Sequence, residues 1–176
     1  TARFTLASVR RSDLITSLAA LLVSAAAAMA APPQRVVSIN LCTDQLALLM
    51  AAPGQLVSVT RLSHEDTDSA FSEQARALPA NGSGAEEVYL LKPDLVLAGT
   101  FTSMATISML RNLGIEVVQF APARALSDVP ERLAQMGTAL GREAEATALI
   151  DTFNSELAEL SATPAHRPRA ALTYVN

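Results

Sequence analysis

Short runs of branched apolar residues alternate with longer amphipathic stretches, and this alternation constrains the possible folds more than any other feature of the chain. Four runs predict strands that are buried on both faces, and they cover residues 35–40, 56–60, 94–98 and 115–120. Most of the stretches between them have the apolar spacing of helices. Strands that alternate with helices form a parallel sheet with helices on both faces. The predicted fold class is therefore α/β, with a parallel-sheet Rossmann-like lobe.

Residues with strong preferences for helix ends mark the predicted helix boundaries. Thr43 is expected to cap the first helix, and Asp128 and Glu131 have the spacing of a capping box. Gly114 and Gly141 each follow a helical stretch, at the position where glycine commonly ends a helix.

The longest helical pattern runs from Arg142 to Ser161. Apolar residues recur along it at the spacing of one helix face: Ala146, Leu149, Ile150, Phe153, Leu157 and Leu160. A proline-containing linker follows, and residues 170–175 predict a fifth strand. That strand either joins the edge of the first sheet or begins a second domain. We favour the second domain, because a long helix and a linker separate the strand from the first sheet.

Residues 1–30 have the composition of an export signal. Arginines precede an apolar run, Leu14–Ala28, which ends in the Ala-Met-Ala pattern of a signal peptidase site. The run is shorter than the roughly 20 residues that a membrane-spanning helix needs, so we predict a cleaved signal peptide rather than a membrane anchor. Arg10 and Arg11 resemble a twin-arginine signal, but Asp13 stands where that signal has a hydrophobic residue. The general secretory route is therefore favoured.

Charge and composition exclude several functional classes. The chain has a net charge of −4, and residues 1–30 hold three arginines and one aspartate, so the remainder is more acidic still. Such a surface repels phosphate backbones, and no nucleic-acid partner is expected. The single cysteine, Cys42, rules out a disulfide framework within the chain. The two histidines, His64 and His166, leave little material for a metal centre, so we expect no metal and no cofactor.

Three stretches, in this order, resemble the periplasmic substrate-binding proteins of the vitamin B12 and iron-siderophore ABC importers. The first is RVVSIN followed by LCTDQLALLM, which resembles that family's first strand and helix. The second is GAEEVYLLKPDLVLAG, which resembles its most recognisable segment: a helix turn with glutamates, then Lys-Pro-Asp, then an apolar strand. The third is LRNLGIEVVQF, followed by a loop, a helix and the long helix. The match extends from Arg35 to Asn176.

The resemblance implies two α/β lobes joined by one rigid helix, with the ligand bound in the cleft between them. Residues 31–141 are then the amino-terminal ligand-binding lobe and residues 142–161 the connecting helix. Residues 162–176 are then a linker and the first strand of a truncated carboxyl-terminal lobe. The protein is expected to be a monomer in the periplasm.

Ligands of open parallel sheets bind beyond the carboxyl ends of the strands, where several polar residues lie in this sequence. Arg61 adds a fixed positive charge suited to an anionic chelate. Vitamin B12 binders of the family carry bulky aromatic residues at positions that match Leu62, Ala80 and Gly99, and Phe101 is the nearest aromatic residue here, which weakens the case for cobalamin. The predicted ligand-binding residues are Asn40, Cys42, Thr43, Arg61, Leu62, Asn81, Ser83, Thr100 and Phe101.

Some of these residues have a structural alternative. Arg61 is either a ligand contact or a loop arginine paired with a neighbouring acidic residue. The loop Asn81–Gly84 is either an anion cradle or an ordinary turn, and the turn is favoured because the loop lacks the lysine of a phosphate-binding loop. His64 belongs to an acidic loop in which a metal site is disfavoured, and Cys42 is predicted to be a thiol beside the cleft.

Glu86 and Glu87 lie at the start of a predicted helix, where the helix dipole favours carboxylates. In the resembling family, the glutamate eight residues before the aspartate of Lys-Pro-Asp docks onto arginines of the membrane permease. Counting back from Asp94 identifies Glu86, with Glu87 as the second candidate. The resemblance thus implies that this corner of the lobe contacts a permease.

The leading hypothesis is the solute-binding component of an ABC importer. It would capture an iron-siderophore, a corrinoid or a similar metal chelate and deliver it to the permease and its ATPase at the inner membrane. No catalytic residue is predicted, because the sequence lacks the nucleophile and dinucleotide motifs of α/β enzymes. A periplasmic enzyme on the same architecture and a binding module without transport remain the alternatives.

Overall fold

A computed structural model describes residues 31–160, together with 169 and 171. The described residues from Pro32 onward belong to one compact unit. Its strands form one five-stranded sheet in the order β3-β2-β1-β4-β5, in which every neighbouring pair is parallel. The strands are β1 (Val36–Ser38), β2 (Leu56–Thr60), β3 (Ala80–Asn81), β4 (Leu95–Gly99) and β5 (Glu116–Phe120). The predicted α/β fold class is confirmed.

In the described residues, six helices connect and cover these strands. They are α1 (Leu41–Met50), α2 (Ser72–Ala75), α3 (Ala85–Leu90), α4 (Met104–Asn112), α5 (Val129–Leu140) and α6 (Glu143–Leu160), with 3₁₀ turns at Arg61–His64 and Leu126–Asp128. None of the helices in the described part of the chain combines the length and the apolar content needed to cross a membrane.

The two faces of the sheet are buried by different helices. Val36 and Leu97 point to the face that α1, α5 and α6 cover, while Val37 and Val96 point to the face that α3 and α4 cover. All four side chains are completely buried. Because successive side chains of a strand point to opposite faces, strands in the middle of such a sheet must be apolar throughout. This requirement explains the continuous apolar runs in the sequence.

The Lys-Pro-Asp segment joins two neighbouring strands at the amino-terminal edge of the sheet. The Asp94 carboxylate accepts hydrogen bonds from the backbone N–H of Gln34 at 2.7 Å and of Arg35 at 2.9 Å. Lys92 adopts a left-handed backbone conformation, with φ of 51°, just before the proline. Asp94 thus holds the start of β1 beside the start of β4.

Two predicted helix caps are wrong. Helix α1 begins three residues earlier than expected, because the Asn40 side chain, not that of Thr43, caps it by accepting a hydrogen bond from the Cys42 N–H. The Asp128 carboxylate accepts from the backbone N–H groups of Arg124 and Ala125, which precede helix α5, so it forms no capping box with Glu131. Those two N–H groups hold the pKa of Asp128 below its ordinary value.

The described structure also departs from the prediction at the edges of the sheet. Strand β3 was not expected, since its two residues are too few to show a strand pattern. The long helix is present as Glu143–Leu160, and Gly141 ends the preceding helix with φ of 66° as predicted. The predicted fifth strand at 170–175 and the signal peptide at 1–30 lie outside the described residues. The division of the chain into lobes stays a prediction.

Candidate functional site

A pocket lies at the carboxyl-terminal edge of the sheet, where three loops meet. These loops follow β1 at Asn40, β4 at Thr100 and β5 at Ala121. Parallel strands bring these ends to the same edge, which is the usual location of a ligand in an open α/β sheet. The pocket has a volume of about 480 Å³, a size suited to a small molecule.

Most of the pocket wall is apolar. Phe71, Phe101 and Phe120 come from three separate segments, and Leu46 and Leu49 come from the side of α1. The remaining lining residues are Asn40, Cys42, Gln45, Gly99, Thr100, Ala121, Pro122, Ala123, Val129 and Arg132. Four predicted ligand-binding residues, Asn40, Cys42, Thr100 and Phe101, therefore share this pocket.

One charged side chain lines the pocket among the described residues, and it was not predicted from the sequence. Arg132 lies in α5, and its side chain is 18% exposed. Val129 precedes it by three residues on the same helix and lines the same pocket, so the helical spacing was the available signal. The sequence could not place α5 beside the β4 and β5 loops, because that placement depends on the packing of the whole lobe.

The close approach of two strand ends requires a glycine at the pocket floor. A Cβ atom on Gly99 would lie 2.8 Å from Nδ2 of Asn40. The same Asn40 side chain caps α1 through Oδ1. Gly99 donates its N–H to Oγ1 of Thr102 at 3.1 Å, which closes the turn that presents Thr100 and Phe101. The pocket thus depends on a residue without a side chain at position 99.

A second, smaller hollow lies at the same edge, beside the first. It has a volume of about 330 Å³ and is lined by Ile39, Asn40, Leu41, Thr60, Arg61, Leu62, Asn81, Gly82 and Ser83. Asn40 borders both hollows. All the predicted ligand-binding residues except Thr43 are thus divided between two neighbouring hollows rather than gathered in one.

Thr43 and Asn81 are buried, and their side chains are hydrogen-bonded within the protein, so the expectation that both contact a ligand stays a prediction. The Thr43 hydroxyl donates to the Asn40 carbonyl at 2.9 Å and is hydrogen-bonded to the Ser38 hydroxyl. The Asn81 amide donates to the carbonyls of Ser38 and Val59. Thr43 is fully buried and Asn81 is 1% exposed. Their polar groups are hydrogen-bonded to the ends of neighbouring strands, so both residues stabilise the loops that form the candidate site.

The Asn81–Gly84 loop is a turn closed by its own contacts, as the sequence favoured. Ser83 has φ of 62°, its N–H donates to Oδ1 of Asn81, and its hydroxyl donates to the Ile39 carbonyl at 3.1 Å. The Gly82 N–H donates to Oε2 of Glu87 at 2.8 Å. Two of the backbone donors that would cradle an anion are thus occupied.

A buried carboxylate supports the segment that carries Arg61. One oxygen of Asp44, Oδ2, accepts hydrogen bonds from the N–H and hydroxyl of Thr60 and from the Ser63 hydroxyl. These bonds fix both ends of the 3₁₀ turn that exposes Arg61 and Leu62. Burial raises the pKa of the Asp44 carboxyl, and the hydrogen bonds from Ser63 and Thr60 act in the opposite direction.

Arg61 and the two glutamates of α3 differ in their partners. Arg61 is largely exposed and lies 3.7 Å from Glu87, measured from Nη2 to Oε1. Glu87 is half-buried between Arg61 and the Gly82 N–H, so this carboxylate is engaged within the lobe. Glu86 is exposed in the first turn of α3, and within the described residues no ion pair involves it. Of the two predicted docking residues, Glu86 is the one that faces solvent without such a partner.

No group of three histidine, cysteine, aspartate or glutamate side chains in the described part of the chain is arranged to hold a metal ion. Cys42 is a free, exposed thiol on the pocket wall. His64 lies at the end of the 3₁₀ turn, and its carbonyl accepts a hydrogen bond from the side chain of Arg76.

Comparison with known proteins identifies the family. A family model described as periplasmic binding protein matches residues 36–176, which include every strand and helix described above. The chain belongs to the periplasmic binding protein family. The sequence resemblance on which the site predictions rest is therefore confirmed.

Two curated relatives and one solved structure illustrate the family. The chain is 29% identical over 141 residues to a vitamin B12-binding protein of Pectobacterium carotovorum, covering 80% of this chain and 50% of the relative. It is 26% identical over 134 residues to an uncharacterized ABC transporter substrate-binding lipoprotein, YvrC, of Bacillus subtilis, covering 73% and 41% respectively. The crystal structure of the periplasmic heme binding protein HutB of Vibrio cholerae matches with a TM-score of 0.64 at 21% identity, covering 77% of this chain and 52% of that one, and shows the shared fold. The chain thus spans about half the length, or less, of these proteins.

Proposed function

We propose that this chain is part of the solute-binding component of an ABC importer. It captures a small metal chelate, such as an iron-siderophore or a corrinoid, outside the inner membrane and delivers it to a permease and its ATPase. The chelate is cargo, so the protein needs a pocket and a docking surface but no catalytic step. Relatives named as a vitamin B12-binding protein and as an ABC transporter substrate-binding lipoprotein support this class of cargo and of partner.

The pocket at the carboxyl edge of the sheet is the main support for this proposal. Its apolar walls suit the organic shell of a chelate, and Asn40, Gln45 and Thr100 supply a few neutral polar groups for orientation. Glu86 follows β3 at the same edge of the sheet, on the first turn of α3. A receptor that presents cargo to a membrane protein requires its pocket and its docking residues on a common side, and this arrangement meets that requirement.

Titration calorimetry of the protein as expressed from its gene tests the proposal. We expect saturable binding of at least one of cyanocobalamin, ferrichrome and hemin. Phe101→Ala should weaken that binding about tenfold, the effect of truncating one aromatic contact in a small-molecule site. The matched control is Leu90→Ala, because Phe101 is 84% exposed and Leu90 is 77% exposed, so neither change disturbs the core.

The control variant should bind with the affinity of the unmodified protein, since Leu90 does not line the carboxyl-edge pocket. Absence of binding for all three chelates would contradict the proposed function. Equal losses in the two variants would show that the pocket is not the binding site.

A further inference from the structure

The carboxyl-edge pocket contains one charged side chain among the described residues that line it. That residue is Arg132, and it lies opposite walls that are formed largely by phenylalanine and leucine. An arginine fixed in an apolar wall is strongly suited to pair with an anionic group, because the low polarity of the surroundings strengthens the interaction. The position of Arg132 therefore bears on which chelates the pocket can bind.

The guanidinium of Arg132 is held in position from one side. Its Nη1 donates to Oε1 of Gln135 at 2.9 Å, and Nε2 of Gln135 donates to the Gln119 carbonyl at 3.0 Å. Gln119 belongs to β5, so the arginine is fixed to the sheet through one intermediate side chain. Such preorganisation reduces the entropy that ligand binding would otherwise cost.

The guanidinium also retains unused hydrogen-bonding capacity. An arginine has five N–H donors, and Arg132 directs Nη1 to Gln135 and Nη2 to Oε1 of Glu131 at 2.8 Å. Its Nε is buried without a hydrogen-bond partner among the described residues. Glu131, the counterion, is 72% exposed, so its pairing with the arginine is weak and exchangeable.

Three phenylalanines in the same pocket indicate the shape of ligand that would fit beside Arg132. Phe120 is buried at the end of β5, while Phe71 is half-buried and Phe101 exposed at the pocket. Aromatic rings from separate segments present faces and edges against which a flat, conjugated molecule packs well. Arg132 lies in the same wall as Val129, so an anionic group at the edge of such a molecule would reach it.

We propose that Arg132 makes the pocket selective for a chelate that combines a flat apolar body with a carboxylate at its edge. The class is that of carboxylated tetrapyrroles and similar planar acids, in preference to neutral hydrophilic chelates. Arg132 binds the carboxylate in exchange for Glu131, and Gln135 is its positioning residue. This inference rests on the proposed function and specifies its cargo.

The test compares two probes that differ in the carboxylates alone: hemin and hemin dimethyl ester, titrated in the same solvent. The unmodified protein should bind hemin about tenfold more tightly than the ester, the effect of one charge-assisted hydrogen bond. Arg132→Gln should remove that difference by weakening hemin about tenfold with little effect on the ester. Glu131→Gln removes the competing anion and should tighten hemin binding about two- to fivefold.

Arg124→Gln is the matched control, since Arg124 is an exposed arginine that does not line the pocket. It should leave the affinities for both probes unchanged. Thermal unfolding establishes that each variant is folded. If Arg132→Gln fails to fold, Arg132→Lys keeps the charge without the two-pronged donor geometry and should lose part of the discrimination between hemin and its ester.

Equal affinity of the unmodified protein for the two probes would overturn the inference, as would an equal loss in Arg132→Gln and Arg124→Gln. If hemin does not bind while cyanocobalamin or ferrichrome binds saturably, the selectivity is wrong and the proposed function stands. If none of these chelates binds, the proposed function itself fails.

Discussion

Reversal of the charge at Glu86, by Glu86→Arg, is expected to abolish uptake of the cargo while leaving its affinity for the protein unchanged. The side chain is exposed in the first turn of α3 and contributes to no buried cluster, so the fold should tolerate the change. Docking to a permease arginine would be replaced by repulsion between like charges, at a cost of about 2 kcal/mol or more in docking free energy. The pocket in which we propose that the ligand binds does not include Glu86.

Uptake of labelled chelate is measured in cells whose sole receptor for that chelate is the variant, and affinity is measured on the purified protein. Glu116→Arg is the matched control: it makes the same charge change at an exposed glutamate of β5, at the opposite edge of the sheet. Uptake at the unmodified rate in Glu86→Arg would contradict the docking role. The same loss in both variants would show a general effect of charge.

Gly137→Ala is expected to destabilise the lobe by about 1–2 kcal/mol, although alanine normally stabilises a helix relative to glycine. Helices α5 and α6 lie close together at this residue. A Cβ atom on Gly137 would lie 2.4 Å from Cβ of Ala146 and 3.2 Å from the Arg142 carbonyl oxygen. Ala146 is buried, so α6 must move away from the lobe to accept the added methyl group.

Urea unfolding measures the change in the free energy of unfolding. Two further variants test whether the change comes from the contact between α5 and α6. Gly84→Ala is the control, because a Cβ atom there meets no atom within 4 Å and the backbone is extended. It should change the free energy of unfolding little. Adding Ala146→Gly to Gly137→Ala should recover part of the lost stability. A Gly137→Ala protein more stable than the unmodified one would show that the helices do not pack this closely.

The strands of the sheet were predictable because burial on both faces requires each of them to be a continuous apolar run, which is visible in the sequence of that strand alone. The apolar runs identified β1, β2, β4 and β5 to within about two residues, and Gly141 marked the end of α5. Strand β3 was not predicted, because two residues are too few to show the apolar pattern of a strand. Short-range competition explains the wrong caps: Asn40 and Thr43 are both suitable capping residues, and the neighbouring backbone decided between them.

The site was less predictable than the fold, since position after a strand does not determine where a side chain points. Asn81 ends strand β3 and Thr43 lies in the first turn of α1, yet both side chains turn inward to satisfy neighbouring backbone groups and hydroxyls. Glu87 resembles Glu86 in sequence but is engaged by Arg61 and the Gly82 N–H. Arg132 is remote from the resembling motifs and reaches the pocket through helix packing alone.

If cargo occupies the pocket formed by the loops after β1, β4 and β5, it covers the thiol of Cys42. Cys42 is exposed and lines this pocket, so a bound molecule should shield it. Alkylation by a maleimide is followed with and without the chelate that saturates the protein in the titration, and Cys42→Ser identifies the signal. We expect alkylation of Cys42 to slow in proportion to occupancy. An unchanged rate at full occupancy would place the cargo elsewhere and contradict it.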